Sequence, residues 1–596
     1  MTPITALADL KKGHEALTCD RITVGLATCG ISAGADRTLA AFQAANLPLI
    51  IENVGCLGNC YAEPIVTVRQ DGSTAIYGHV TEDKVQKILD AIKTKTICKE
   101  LFLGRTLEEI DFYKIQKRLL LANCGKINPL DIDQYVATGG YDGLAKALRK
   151  KPQEIIEDVL ASGLRGRGGA GFPTGQKWRL IAVKTGKKIL VCNGDEGDPG
   201  AFMNRTVMES DPFKLIEGMT IAAYAIGSDE GIIYTRAEYP LAVKTLRSAI
   251  TIAESHNLLG KNILGIEGFN FNLRIVMGAG AFVCGEETAL MNSVMGLRGQ
   301  PHYKPPYPAD KGIYGYPTNI NNVSTLSFVP LIMSMGAKEF AKIGSEKSKG
   351  TAVLCLTGKI NRTGVIEVPM GTPLREIIFG IAGGPPQGTT FKAVQCGGPA
   401  GGCVSEKYLD LPVDYESLLS IGAMMGSGGL VVLNSDSCMV DVAKFFMSFT
   451  RSESCGKCTP CREGTTRIWE ILDKITKGLG TPKDIETLKS LSQYVKENSL
   501  CGLGQAAPNP ILTTLAQFAD EYRVHIEQKE CPSHSCRNLV HYRINEKCTG
   551  CGNCARHCPV HCIAGRLKEK HVIDQSVCVR CGACYENCAF DAIDKG

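Results

Sequence analysis

At 596 residues the chain is too long for one hydrophobic core, and several domains are expected. Its composition is 44% hydrophobic and 21% charged, with a formal charge of only +5. This gives no basic face for nucleic acid, and no apolar run reaches the roughly 18 residues that a bilayer span requires. The opening stretch "MTPITALADLKKGHEALTCDR" lacks the basic flank and apolar run of a secretory signal, so a cytoplasmic protein is expected. Against that background 27 cysteines are many, and 16 of them follow residue 437. In a reducing compartment such clusters read as metal ligands rather than disulfides.

The first hundred residues alternate β, α and β, and carry a C-x3-C pair, Cys56 and Cys60. They resemble the thioredoxin-like [2Fe-2S] domain of the complex I 24-kDa subunit. That resemblance implies two earlier cysteines spaced C-x4-C, and its alignment on "SAGAD" places Gly25 and Gly30 there, with Cys29 one residue off. Cys19 lies before the first strand. Two readings stand: a [2Fe-2S] cluster held by Cys19, Cys29, Cys56 and Cys60, or a docking domain without a cluster.

Next comes "GLRGRGGAGFPTGQKW", residues 163–178, with six glycines and a lysine. Glycines allow φ > 0 and close backbone approach, so successive N–H groups can cradle phosphate, and Lys177 would add positive charge. Alone the loop is a weak signal, and it departs from the G-x-G-x-x-G pattern. Three further stretches accompany it: "CNGDEGDPGAF" (192–202), "GAGAFVCGEETAL" (278–290) and "KPPYP…TNINNVSTL" (304–326). Together with "ESCGKCTPCREG" (453–464) they resemble, over about residues 100–530, the NADH-binding 51-kDa flavoprotein subunit of respiratory complex I.

The resemblance implies FMN against Gly166, Arg167, Gly168, Lys177, Asn193, Asp195, Glu196, Gly285, Glu286, Asn321 and Asn322. It implies Phe172 and Tyr307 as aromatic contacts for the adenine of NADH, with Leu180 at a third position where the family has an aromatic ring. Asp198 and Glu287 fall where the family places acids near the dinucleotide. An acid beside the ribose repels a 2′-phosphate, which argues for NAD. Hydride transfer through a flavin needs no general acid or nucleophile, and none is assigned.

Residues 350–430 alternate apolar and polar positions between glycine turns and then form a short helix, which suits the β-grasp-like insert of that family. Further on, Cys455, Cys458 and Cys461 form a three-cysteine hook. "REGTTRIWEILDKITKG" and "TPKDIETLKSLSQYVKENS" carry apolar residues at helical steps, and Cys501 follows at a glycine-bounded turn. A helical hairpin would return Cys501 to the hook, and the four would bind one [4Fe-4S] cluster. Zinc is the alternative.

"CPSHSCRNLVHYR" then offers Cys531, His534, Cys536 and His541, a mixture that favours zinc or a [2Fe-2S] centre. Cys531, Cys536 and His541 are taken as ligands, with Cys438 as a completing donor; a loop without metal is the other reading. Finally "CTGCGNCARHCPV" and "CVRCGACYENCAF" repeat the spacing C-x2-C-x2-C-x3-C. Residues 540–596 thereby resemble the bacterial two-cluster ferredoxins. On that pattern one [4Fe-4S] cluster takes Cys548, Cys551, Cys554 and Cys588, and the other Cys578, Cys581, Cys584 and Cys558. Paired zinc knuckles are the alternative, and Cys562 lies outside both sets.

The expected architecture is thus multidomain α/β and α+β. It comprises a thioredoxin-like domain (1–100), a Rossmann-like FMN and NAD(H) domain (101–349) and a β-grasp-like domain (350–430). A helical-bundle [4Fe-4S] domain (431–530) and a metal joint with a two-cluster ferredoxin domain (531–596) follow. This order looks like the NAD-linked β subunit of soluble electron-bifurcating complexes, of the [FeFe]-hydrogenase type and of related formate dehydrogenases and transhydrogenases. The resemblance implies an NADH-dependent oxidoreductase subunit of a hetero-oligomer. Its partners would be a 24-kDa-like [2Fe-2S] subunit, a catalytic iron–sulfur subunit and soluble ferredoxin. A non-bifurcating NADH dehydrogenase module is the first alternative, and an electron-transfer scaffold without nucleotide binding the second.

Overall fold

A computed structural model describes residues 17–596. The chain packs as two compact units. One holds the described residues through 387 together with 394–432, and the other holds 388–393 and 433–596.

The first unit begins with a five-stranded sheet: β1 (Arg21–Gly25), β2 (Ile50–Val54), β3 (Val66–Gln70), β4 (Ser73–Tyr77) and β5 (Phe102–Gly104), in the order β2-β1-β3-β4-β5. β1 runs parallel to β2 and antiparallel to β3. Helix Val85–Thr94 places Val85, Ile88, Leu89 and Ile92 on one face, the i, i+3, i+4, i+7 stripe that buries against Ile22, Val24 and Val66.

The middle of this unit is a fully parallel sheet of β6 (Ile189–Gly194), β7 (Glu230–Arg236), β8 (Asn272–Gly278) and β9 (Thr318–Asn322), ordered β8-β7-β6-β9. β6 and β7 read as near-continuous apolar runs, as strands covered on both faces must. Helices Pro212–Ile226 and Val323–Met335 are buried almost all round. They cross at Gly218, where a Cβ would stand 2.1 Å from the Leu326 carbonyl oxygen, so only glycine permits the approach. The strand order reverses at β6: β7 and β8 lie to one side and β9 to the other. That reversal opens a crevice at the carboxyl ends of β6 and β9, the usual ligand position in such sheets.

A mixed sheet follows, of β10 (Thr351–Gly358), β11 (Gly364–Pro369), β12 (Phe391–Cys396), β13 (Gly402–Ser405) and β14 (Gly429–Asn434), ordered β11-β10-β14-β12-β13. Glu367 on β11 is buried and accepts the backbone N–H groups of Leu119, Leu120 and Leu121, each at 2.9 Å.

The second unit contains helices Met439–Ser452, Thr459–Thr476, Pro482–Asn498 and Asn509–Gln517 around Ile468, Leu472, Leu488 and Val495. The third starts with a capping box, in which the Thr481 N–H donates to Asp484 Oδ2 at 2.6 Å. Beyond residue 541 two short antiparallel strand pairs, β15 (Tyr542–Ile544) with β18 (Ile593–Lys595) and β16 (Ile563–Ala564) with β17 (Val572–Ile573), accompany two helical turns at 553–556 and 583–586. Among the described residues no helix is long and apolar enough to cross a membrane.

Candidate functional site

The crevice at the carboxyl edge of the parallel sheet collects most of the expected flavin residues. Asn193 stands one residue before the end of β6, and its Nδ2 donates to the Gly285 carbonyl at 2.9 Å while its Oδ1 accepts the Asp195 N–H at 3.0 Å. Asn321 and Asn322 end β9. Asn321 Oδ1 accepts the Trp178 indole N–H at 2.9 Å, and Asn322 Oδ1 caps the following helix through Ser324. The Gly-rich loop closes over this edge as a tight hairpin, with the Gly166 N–H on the Phe172 carbonyl at 2.9 Å. A Cβ at Gly168 would sit 3.4 Å from Asn322 Cβ, which shows how closely loop and strand end approach.

Acids surround the crevice. Glu196 is buried and accepts the N–H groups of Asn204 and Arg205 at 3.0 Å, the open amides of the helix that starts at Met203. Burial pushes its carboxyl up to about 6, against the pull of those amides. Asp198 is likewise pushed up to about 6 by burial, although the Ser427 hydroxyl donates to it. Glu286 caps helix Glu287–Val294 through the Thr288 and Ala289 N–H groups at 2.9 and 3.0 Å. Burial would raise Glu287, but Lys177 at 3.0 Å and Lys304 outweigh it and hold the carboxyl below its usual range. Phe172, Leu180 and Tyr307 are 49%, 47% and 55% exposed, accessible surface for a flat ring.

The side chain of Arg167 turns away from the crevice. Its guanidinium is buried and donates to the carbonyls of Arg165, Lys349 and Thr351, and its backbone N–H donates to Thr325. The side chain anchors the Gly-rich loop from behind by pairing these inward carbonyls.

Several residues the sequence did not single out complete the site. Arg236, at the end of β7, has a buried Nη1 without a hydrogen-bond partner, 4.0 Å from Asp195 Oδ1. The 350–430 module also buttresses the loop. The Tyr415 hydroxyl donates to the Gly166 carbonyl at 2.7 Å, Arg165 lies over the Tyr415 ring at 4.4 Å, and Gly426 pairs with Gly169. The Arg236 nitrogen without a hydrogen bond and the glycine cradle fit a bound phosphate-bearing group.

In the second unit the expected helical hairpin is present. Cys461 lies in the first turn of helix Thr459–Thr476, and Cys501 follows helix Pro482–Asn498 at the cap of the next short helix. Burial pushes the Cys461 thiol up to about 11, with Cys458, Cys501 and Cys455 near enough to add to the effect. The tail forms two apolar cavities. Cys558, Cys578, Cys581 and Cys584 line one, and Cys548, Cys551, Cys554 and Cys588 line the other. Each cavity therefore takes three cysteines from one motif and the last from its repeat. Cys562 lines the first cavity with its Sγ 3.4 Å from that of Cys558.

Cys438, Cys531 and Cys536 converge, and the histidine that joins them is His525. Its Nε2 lies 3.3 Å from the sulfurs of Cys438 and Cys536, which are 3.6 Å apart. Nδ1 faces the Glu521 carbonyl at 2.7 Å, which fixes the ring with Nε2 toward the sulfurs. This corrects the expectation for His541, which stands at the entry to β15 with Nδ1 near Gln575 and its N–H on the Gly596 carbonyl. Strand pairing removes His541 from the cysteines, whereas the last helix of the bundle delivers His525 to them. His525 carried no local signal, because it stands six residues before the nearest cysteine inside an amphipathic helix.

In the N-terminal sheet Cys29, Cys56 and Cys60 also converge, but Cys19 does not join them. Cys19 precedes β1 and Cys29 follows it, so five extended residues, roughly 16 Å, separate the two ends of the strand.

Comparison with known proteins agrees with this geometry. Residues 159–331 match the Nuo51 FMN-binding domain, 441–525 the NADH-ubiquinone oxidoreductase-F iron–sulfur binding region, and 541–589 the 4Fe-4S dicluster domain. The NADP-reducing hydrogenase subunit HndC of Solidesulfovibrio fructosivorans is 55% identical over 484 residues, 81% of this chain and 98% of that protein. An F-type subunit of NADH-quinone oxidoreductase from Rhizobium meliloti (strain 1021) is 45% identical over 68% of this chain and 96% of its own length. Among solved structures, the NAD+-reducing [NiFe]-hydrogenase in the H2-reduced state aligns with a TM-score of 0.62 at 29% identity, covering 88% of this chain and 85% of that one.

Proposed function

Since the chain belongs to the family of complex I 51-kDa flavoproteins, oxidoreductase subunits with an FMN-binding domain and iron–sulfur domains, we propose that it exchanges hydride with NAD(H) and passes electrons to partner subunits. In this reading the complex is electron-bifurcating and couples NAD, ferredoxin and a third couple, which is H2, formate or NADP. The observation that carries the proposal is the convergence of the Gly-rich loop, Asn193, Glu196, Glu286 and Asn322 on the switch point of the parallel sheet.

The chain's own residues bind and orient. Gly166 and Gly168 leave room for a phosphate-bearing group against the loop backbone, with Lys177 and Arg236 as nearby positive charge. Asn193, Asp195 and Glu196 line the polar floor. Phe172, Tyr307 and Leu180 would hold the adenine, and Asp198 and Glu287 would disfavour a 2′-phosphate. FMN, when bound, supplies the conversion between a two-electron hydride and single electrons. One [4Fe-4S] cluster is assigned to Cys455, Cys458, Cys461 and Cys501, and two to the tail cavities. Cys438, His525, Cys531 and Cys536 are assigned one tetrahedral zinc ion.

The hydrogenase name of one relative favours a hydrogen-linked complex, and its partner subunits in this reading are a small [2Fe-2S] subunit and a catalytic iron–sulfur subunit. The NADH-quinone oxidoreductase relatives favour the second reading, a non-bifurcating NADH dehydrogenase module. An anaerobic titration of the reconstituted chain tests the flavin site: NADH should bleach the flavin absorbance at lower concentration than NADPH. No flavin response to either nucleotide would overturn the site assignment. In the full complex, NAD reduction that requires both a low- and a high-potential donor would select bifurcation, and reduction by one donor alone would select the simpler module.

A further inference from the structure

The first sheet carries a second convergence of donors, outside the flavin crevice and the tail. Cys29 Sγ lies 3.2 Å from Cys56 Sγ, which lies 3.8 Å from Cys60 Sγ. The carboxylate of Glu63 borders two of these sulfurs, with Oε1 at 3.4 Å from Cys29 Sγ and 3.9 Å from Cys56 Sγ. Its other oxygen is held by the Ile65 N–H at 3.1 Å, which aims Oε1 at the sulfurs. We propose that Cys29, Cys56, Cys60 and Glu63 form a three-sulfur, one-oxygen metal centre, with Glu63 as the ligand that replaces a fourth cysteine.

Three observations support this centre, the last two bearing on Glu63 itself. Sulfur ligands at about 2.3 Å around one tetrahedral ion stand roughly 3.7 Å apart, close to the separations found here. Glu63 is buried, and among the described residues no lysine, arginine or histidine forms an ion pair with it. A cation held among the three thiols would offset the cost of burying that carboxylate. The third observation concerns Gly25 and Gly30, the positions where the 24-kDa-type pattern calls for cysteines. A Cβ at Gly30 would stand 2.2 Å from the Gly25 carbonyl oxygen, so no side chain fits there. Glu63 Oε2 lies only 3.5 Å and 3.2 Å from the points where Cβ atoms of residues 25 and 30 would be. The carboxylate therefore occupies the space that cysteines at those positions would use.

The donor set suits a thiophilic cation, either as iron in a [2Fe-2S] unit or as a single zinc ion. The experiment uses the full chain, purified anaerobically as wild type, Cys56→Ser, Glu63→Gln and Glu63→Cys. Metal and sulfide per chain are measured, together with electron paramagnetic resonance of the reduced protein at a temperature where [4Fe-4S] signals have broadened away. Cys56→Ser is expected to lose about two irons and two sulfides if the unit is binuclear, or about one zinc if it is a single ion. Glu63→Gln should lose most of the same metal. Glu63→Cys should retain it with altered signal g-values, or, for a single ion replaced by cobalt(II), with stronger sulfur-to-metal absorption. Unchanged metal content in Cys56→Ser would overturn the site. Loss in Cys56→Ser with unchanged content and spectra in both Glu63 variants would overturn the role of Glu63. Retained flavin content and thermal midpoint identify variants that are folded, and Glu63→Cys keeps the test open if Glu63→Gln does not fold.

Discussion

The ferredoxin-like tail and the Cys438 group are both cysteine-rich and lie in the same compact unit, yet they are assembled in different ways. In the tail, three of the four sulfurs around each cavity come from seven consecutive residues and the fourth from a copy of the same motif. In the Cys438 group the donors come from the entry to one helix, the end of another and a loop, 98 residues apart in sequence from Cys438 to Cys536. The contrast is also geometric. The tail sulfurs border open cavities, which suits a cluster with its own volume, whereas the Cys438 group closes to within 4.8 Å, which suits a single ion. Local spacing is enough to specify a cluster loop, but a closed four-donor site needs the tertiary fold.

The largest expected effect tests the crossed ligation of the tail. Cys588→Ser should remove the cluster assigned to Cys548, Cys551 and Cys554, about four irons per chain, and leave the cluster nearer in sequence to Cys588 intact. Loss of the cluster held by Cys578, Cys581 and Cys584 instead would show uncrossed ligation. Next in size, His525→Ala should release about one zinc and lower the thermal midpoint of the helical bundle, while His541→Ala should retain the ion. Zinc released by His541→Ala and kept by His525→Ala would reverse the structural assignment.

The flavin crevice lies between these extremes, and its acids give smaller effects. Asp198 titrates near 6 in the folded chain and near the ordinary aspartate value when unfolded. Between about pH 4 and 6 the folded chain keeps a proton that the unfolded chain has released, so stability falls as pH rises through this window. Glu196 contributes in the same direction. In the flavin-free chain Asp198→Asn should flatten that pH dependence by on the order of 2 kcal/mol, read as the change in thermal midpoint between pH 4.5 and 7. An unchanged slope would place the titration elsewhere. Smallest of all, Glu286→Ala removes a helix cap and should cost about 1 kcal/mol in unfolding experiments.

Much of the site was legible because backbone chemistry dictates it locally. The glycines at 166 and 168, the three-cysteine hook and the C-x2-C-x2-C-x3-C repeats each belong to a short stretch whose residue types suit few other purposes. Amphipathic periodicity placed the hairpin that returns Cys501. For Arg167 the motif located the residue in the loop but not the direction of its side chain, and only the packed structure shows three carbonyls behind the loop that claim the guanidinium. Tyr415, Ser427 and Arg236 left no trace in the motifs, since each reaches the crevice across a sheet or from a separate module.

By itself, then, the sequence determined the kinds of chemistry this protein carries: a glycine cradle, cluster loops, and donors enough for a further metal. Only the tertiary structure decided which donors meet. It chose His525 over His541, excluded Cys19, and set Glu63 beside Cys29 and Cys56. The physical reason is that ligand contacts span a few ångströms, whereas a strand of five residues separates its ends by roughly 16 Å and a helix can bring distant residues together.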